Sequence, residues 1–153
     1  MKRRIPPFHS TTIDPYKTQG QINSLLSQYG VPKFQWTLDL EQNIIQLVFE
    51  IQYEQDGQTV KRLVKVSPSL FLEKRRTYNK ITGKHEVQLA PNLAASMRML
   101  RSWIKSRLEA IAYGLFSVED ELLSQIVINR SGQTIGEKVK LELPQSPALE
   151  DKT

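Results

Sequence analysis

Apolar residues recur along this chain with two different periods, and these divide it into extended and helical stretches. Phe34, Trp36, Leu38 and Leu40 alternate with Lys33, Gln35, Thr37 and Asp39, the period of a strand with one dry face and one wet face. The alternation resumes after the turn residues Glu41-Gln42-Asn43 with Ile45, Leu47, Phe49, Ile51 and Tyr53. It resumes again after Asp56-Gly57, a hairpin signal, with Val60, Val64 and Val66. Three antiparallel strands over residues 33–66 are therefore predicted. Arg62 shares the apolar side of the third, so its guanidinium must lie near the hairpin end, where it reaches water.

Two other stretches follow the helical period. Thr18-Gln19-Gly20-Gln21 has the spacing of a capping box, and Ile22, Leu25, Leu26 and Tyr29 then fall on one face before Gly30 and Pro32 end the helix. Asp14-Pro15 offers an earlier start if Gly20 is tolerated inside. Over 92–113, Leu93, Met97, Leu100, Ile104, Leu108 and Ile111 line one face, with Met99 and Trp103 on an adjacent arc. A stripe this broad predicts packing on the sheet and on a second element. Ser117 caps a short helix whose first turn holds Glu119, Asp120 and Glu121. Residues 126–128 then read as a strand, 129–132 as a turn and 133–136 as its return; Val139, Leu141 and Leu143 alternate and extend that return or form an edge strand. Between sheet and long helix, residues 70–90 have no firm period: Thr82-Gly83 turns either a basic hairpin (77–81 with 84–89) or an ordered loop.

The expected fold class is α+β: a three-stranded antiparallel sheet (33–66) packed by helices 18–29 and 92–113, with a C-terminal short helix and hairpin. The 153 residues suit one domain, with a basic N-terminal arm over about 1–12 and a frayed tail over about 144–153. No apolar run approaches a membrane span, and Met1-Lys2-Arg3-Arg4-Ile5-Pro6-Pro7 lacks the apolar stretch of a secretory signal. The absence of cysteine removes disulfides, thiolate zinc sites and cysteine nucleophiles. The expectation is a cytoplasmic protein with no membrane attachment and no cofactor.

Charge changes this picture most. Residues 61–107 hold twelve Lys/Arg against Glu73 and Glu86, a local net of +10 in a protein whose total is +5. Folding needs no such asymmetry, so it points to a polyanionic partner without saying which, and nucleic acid, DNA or RNA, is the leading expectation. Candidate contacts are Lys74, Arg75, Arg76, Tyr78, Lys80 and Lys84 in the segment after the sheet, and Arg98, Arg101 and Lys105 along one ridge of the long helix. Tyr78 stands among cations, a mixture that stacks bases while tracking phosphates. Neighbouring carboxylates such as Glu50, Glu54 and Glu109 are the alternative partners of the helix ridge. The competing function is a protein-interaction module, adaptor or inhibitor, in which the basic face meets an acidic partner and Met99 and Trp103 lie in the contact or in a homodimer interface.

Catalytic patterns are weak. His9 and His85 form no metal-ligand pair, and the seven glycines make no phosphate-cradling loop. Asp39, Glu50 and Lys61 are the only nuclease-like set on neighbouring strands, while Glu119-Asp120-Glu121 already have a role at a helix N-terminus. No catalytic residue is assigned.

Two resemblances add to this. The order helix, three strands, helix resembles the double-stranded RNA-binding domain, but the second helix opens with Pro91-Asn92-Leu93-Ala94-Ala95-Ser96 where that family carries lysines. The stretch from Leu100 to Glu137, with Trp103-Ile104-Lys105, Leu108-Glu109-Ala110, Phe116, Glu119-Asp120-Glu121, Ile126-Val127 and Gly132-Gln133-Thr134-Ile135-Gly136-Glu137, is similar to small uncharacterised proteins of bacteriophages and mobile elements. So is Tyr16-Lys17-Thr18-Gln19-Gly20 with Leu25, Leu26, Tyr29, Gly30 and Trp36. That resemblance implies a DNA- or RNA-handling accessory protein, or an inhibitor or adaptor, with no assigned activity to transfer.

Overall fold

Asp14, not Thr18, starts the first helix. Its carboxylate accepts from the Tyr16 backbone N–H at 2.7 Å, and Pro15 follows in the first turn, where its missing N–H leaves no bond unmade. Helix α1 thus runs Pro15–Gln28 in the computed structural model, which describes residues 6–39 and 41–146. The basic residues Lys2, Arg3 and Arg4 of the expected arm, Leu40 of the first strand, and residues 147–153 of the expected tail lie outside those described. The earlier start makes Thr18 a fully buried side chain instead of a cap. Gly20 sits inside the helix.

The sheet has the expected three strands, β1 (Lys33–Asp39), β2 (Ile44–Gln55) and β3 (Gln58–Val66), antiparallel in the order β1-β2-β3. Asp56 and Gly57 both have positive φ, 52° and 76°, the backbone of the two-residue turn whose twist matches that of the strands. Ile45, Leu47, Phe49 and Ile51 of β2 are buried with Val64 and Val66 of β3 in one core that also takes Ile22, Leu25 and Leu26 from α1. Trp36 of β1 donates its indole N–H to Asn23 Oδ1 at 2.8 Å, fastening α1 to the sheet edge. Arg62, opposite Ile51, is exposed beside the Tyr53 hydroxyl, so its charge stays at the rim of the core face.

Residues 72–91 form a second, separate ribbon of two antiparallel strands, β4 (Leu72–Asn79) and β5 (Lys84–Pro91). Of the two expectations for this segment the hairpin is realised, with longer arms. The turn is built by Asn79: its side-chain oxygen accepts from the N–H groups of Ile81 (2.9 Å) and Thr82 (3.3 Å), and its carbonyl from Gly83 N–H (2.8 Å). None of its side chains belongs to the core.

The long helix α2 (Leu93–Ala112) begins at Asn92, which accepts from Ala95 N–H at 2.9 Å. Asn92 also donates its backbone N–H to the Phe71 carbonyl (2.7 Å) and its side-chain amide to Glu73 Oε2 (3.1 Å), while Ser96 Oγ accepts from Phe71 N–H (2.9 Å). The root of the ribbon is thereby held to the first turn of α2. Met97, Leu100, Ile104 and Leu108 of α2 complete the core.

After α3 (Val118–Leu122) and a 3₁₀ turn at Leu123–Gln125, Ile126 bridges to Val64 and Val127 to Thr134. Ile128 N–H donates to the Gln133 carbonyl at 2.9 Å, so the C-terminal hairpin exists in short form. Its expected extension through Val139, Leu141 and Leu143 does not: Ile135–Lys140 form helix α4. Thr134 and Glu137 cap it reciprocally, each side chain bonding the other's backbone N–H, and this outweighs three alternating apolar residues. Among the described residues no helix is long and apolar enough to cross a membrane.

Candidate nucleic-acid interface

The register of the ribbon sorts its charges. Residues directly opposite each other in an antiparallel pair share a face. Leu72, Lys74, Arg76 and Tyr78 of β4 lie opposite Pro91, Leu89, Val87 and His85 of β5. Glu73, Arg75, Thr77 and Asn79 lie opposite Ala90, Gln88, Glu86 and Lys84 on the other face. Both carboxylates of the 61–107 block therefore fall on one face. There Glu73 takes Arg75 Nε at 3.0 Å and Glu86 takes the Asn79 amide at 3.2 Å.

The opposite face holds Lys74, Arg76 and His85 without a carboxylate, interleaved with aliphatic residues. Leu89 and Val87 are each 65% exposed, Tyr78 57% and Leu72 47%. The Tyr78 and His85 rings meet near the turn, centroids 5.3 Å apart. Among the described residues the side chains of Lys74, Arg76, Lys80 and Lys84 make no hydrogen bond or ion pair.

The helix ridge is occupied differently. Arg98 donates to Gln21 Oε1 of α1 at 2.6 Å, with its guanidinium 6.0 Å from the centre of the Phe8 ring. Lys105 lies 3.7 Å from Glu109, and the Arg101 Nε is buried. Among the described residues the only balancing charge on the ridge is thus Glu109; Gln21 is a neutral acceptor, the Arg101 Nε has no hydrogen-bond partner, and Glu50 and Glu54, the sheet candidates, accept instead from Gln52 and Thr59. Elsewhere in the block Lys65 pairs with Glu137 (2.9 Å), and Arg107 with Glu121 (2.7 Å) while covering the Trp103 ring. Arg101 and Trp103 point about 200° apart around α2, and Ser96, which holds the ribbon root, is on the Trp103 side with Met99. Ridge and ribbon root occupy opposite sides of the helix.

The carboxylate sets find local partners. Asp39 pairs with Ile44 at one end of β1 and Glu50 with Lys33 at the other, six residues or about 20 Å apart, so the nuclease-like set with Lys61 does not converge. Glu119 accepts from the Tyr53 hydroxyl and Glu121 from Arg107. Asp120 is held below the usual carboxylate range by the Ser117 backbone N–H and then its hydroxyl. Burial, then the Glu119 carboxylate, raises the Tyr53 hydroxyl.

The groove beside Trp103 has no sequence signature. A cavity of about 590 Å³ lies between α2, the 67–71 linker and α4, lined by Leu70, Met99 and Trp103, and a second of about 530 Å³ continues past Trp103 under α4. Their charged linings comprise three cations, Lys65, Arg107 and Lys140, and three carboxylates, Asp120, Glu121 and Glu137. The helix that forms this wall was expected as strand, which hid the groove. On the ribbon, the period-two run Lys74, Arg76, Tyr78 and its counterpart His85, Val87, Leu89 were the available signal.

Comparison with protein-family models, curated proteins and solved structures finds no match to this chain.

Proposed function

We propose that this is a non-enzymatic nucleic-acid-binding accessory protein whose contact surface is the β4–β5 ribbon. The observation that carries this reading is the distribution of unpartnered cations. Of the ribbon's five Lys/Arg only Arg75 is ion-paired among the described residues, while on α2 Lys105 and Arg107 are ion-paired, Arg98 is hydrogen-bonded to Gln21, and only Arg101, its Nε buried, lacks a partner. Four exposed cations on a projecting hairpin are placed to replace the counterions of a phosphate backbone. Arg98, Arg101 and Lys105 are secondary here, since Arg98 is engaged against α1, Lys105 is paired within α2, and the Arg101 Nε is buried.

Binding of this type weakens as salt rises, with a logarithmic slope near −0.9 for each phosphate neutralised. Two to four such contacts imply a loss of roughly ten- to a hundredfold between 50 and 200 mM salt, from a dissociation constant on the order of micromolar. Anisotropy titration of labelled DNA and RNA 20-mers at both salt concentrations measures it. No binding at the lower concentration ends this reading.

The groove favours the second reading, a protein-interaction module. Trp103 is half-buried in its wall, Met97 is buried and Met99 is partly exposed at its edge. Balanced charge in the lining suits a mixed polypeptide surface better than a polyanion. Under this reading, Met99→Lys abolishes partner capture and leaves nucleic-acid titrations unchanged.

A further inference from the structure

We infer that the ribbon reads B-form duplex DNA in the major groove, with its Lys74/Arg76 face on the base edges. The inference rests on the nucleic-acid reading above and narrows it from any phosphate backbone to one ligand. Three observations support it.

The first is shape. The ribbon is two strands wide, eight residues long and free of any covering element, about 25 Å of unburied hairpin. The B-DNA major groove, about 12 Å wide, admits a two-stranded ribbon as it stands, whereas the minor groove, about 6 Å wide, takes one only at the cost of deforming the duplex. The major groove of A-form RNA is too deep and narrow for side chains to read.

The second is the composition of the exposed face. Arg76 lies opposite Val87 and Lys74 opposite Leu89, so each cation stands beside an exposed aliphatic side chain. Phosphates offer nothing to valine or leucine. Base edges do: guanine presents two acceptors to Arg or Lys, and thymine presents a methyl group. Alternate residues on a strand are about 6.7 Å apart, close to the rise of two base pairs, so Lys74, Arg76 and Tyr78 can address successive steps.

The third is the segregation of carboxylates. Glu73 and Glu86 both lie on the face that would look out of the groove, away from the bases. Lys80 in the turn and Lys84 beside it are then placed to take the flanking phosphates.

Two double variants test this, because each removes two positive charges, the first from the base-reading face and the second from outside the proposed contact: Lys74→Ala with Arg76→Ala, and Arg75→Ala with Lys138→Ala. All four residues are exposed, and a thermal unfolding midpoint within a few degrees of the parent's is the check that each variant is folded. The probes are a 20-base-pair DNA duplex of random sequence, the corresponding RNA duplex, a single-stranded DNA 20-mer, and vesicles with one-third phosphatidylserine. The DNA duplex should bind at least tenfold tighter than the RNA duplex or the single strand. The first variant should lose at least tenfold and the second less than threefold. Bound protein should also protect guanine N7, a major-groove atom, from dimethyl sulfate.

Equal losses from the two variants, absent N7 protection, or equal affinity for RNA overturn major-groove reading while leaving the proposed nucleic-acid binding intact. Binding to vesicles with none to any nucleic acid overturns both, since a basic face with exposed aliphatics then serves an anionic membrane surface.

Discussion

Thr18 Oγ1 is fully enclosed between α1 and its surroundings and finds no hydrogen-bond partner among the described residues. An unmet hydroxyl in the interior costs about 1–3 kcal/mol relative to an apolar group of the same shape. Thr18→Val should therefore raise the urea midpoint, by about 1 kcal/mol of stability after the helix cost of another β-branched residue is kept constant. A drop of that size would mean the hydroxyl is bonded. Gly136 carries the opposite constraint. A Cβ there would lie 2.7 Å from the Ser124 carbonyl oxygen and 3.0 Å from the Ser124 Cβ, so α4 can approach the 3₁₀ turn closely only without a side chain. Alanine is the better helix former by about 0.5–1 kcal/mol, yet Gly136→Ala should destabilise by about 1–3 kcal/mol because backbone must move. The same urea titration checks it, and a neutral result would show that α4 shifts freely.

At the scale of elements, α4 shows why some of this fold was legible and some was not. The sheet was legible because a one-residue slip would move Ile45, Leu47, Phe49 and Ile51 together to the wrong face, so burial enforces the pattern. Helices α1 and α2 were legible from the same cause at a different period. Helix α4 has no buried residue of its own, so hydrophobic periodicity could not mark it; only the Thr134–Glu137 capping box did. The ribbon was half legible. Thr82-Gly83 signalled its turn, but neither face is enclosed, and the sorting of its charges emerges only from the register.

The capping box also sets a pH response. Glu137 is held below its ordinary 4.5 first by the Thr134 backbone N–H and then by Lys65, each favouring the carboxylate. A carboxyl with a lowered folded-state pKa contributes stability above its unfolded value and loses it as pH falls through the folded value. Unfolding midpoints should thus decline below about pH 4.5. In Glu137→Gln the midpoint should be lower at pH 6, and the difference from the parent should shrink as pH falls below about 4.5. A constant difference across that range would place the stabilisation outside the carboxylate's ionisation.

For the molecule as a whole, structure and charge are carried by different segments. The core draws on α1, α2, α3 and the three-stranded sheet, and no residue of β4 or β5 enters it. Much of the remaining basic block is neutralised within that body by Glu109, Glu121 and Glu137. Replacing residues 75–88 with an Asn-Gly turn would remove most of the ribbon and three of its four unpartnered cations, leaving Lys74, while retaining Glu73, whose bond to Asn92 anchors the start of α2. Exposed surface without core contacts contributes little to folding, so the shortened protein should unfold cooperatively within about 1 kcal/mol of the parent, roughly 2–4 °C in midpoint. Nucleic-acid affinity at 50 mM salt should fall at least tenfold, because three of the four exposed ribbon cations are gone and three of the four helix cations left behind have partners. If the shortened protein binds as the parent does, the ridge of Arg98, Arg101 and Lys105 carries the interaction despite its partners. If it fails to fold, the ribbon supports α2 by more than its root, and the separation of stability from charge does not hold.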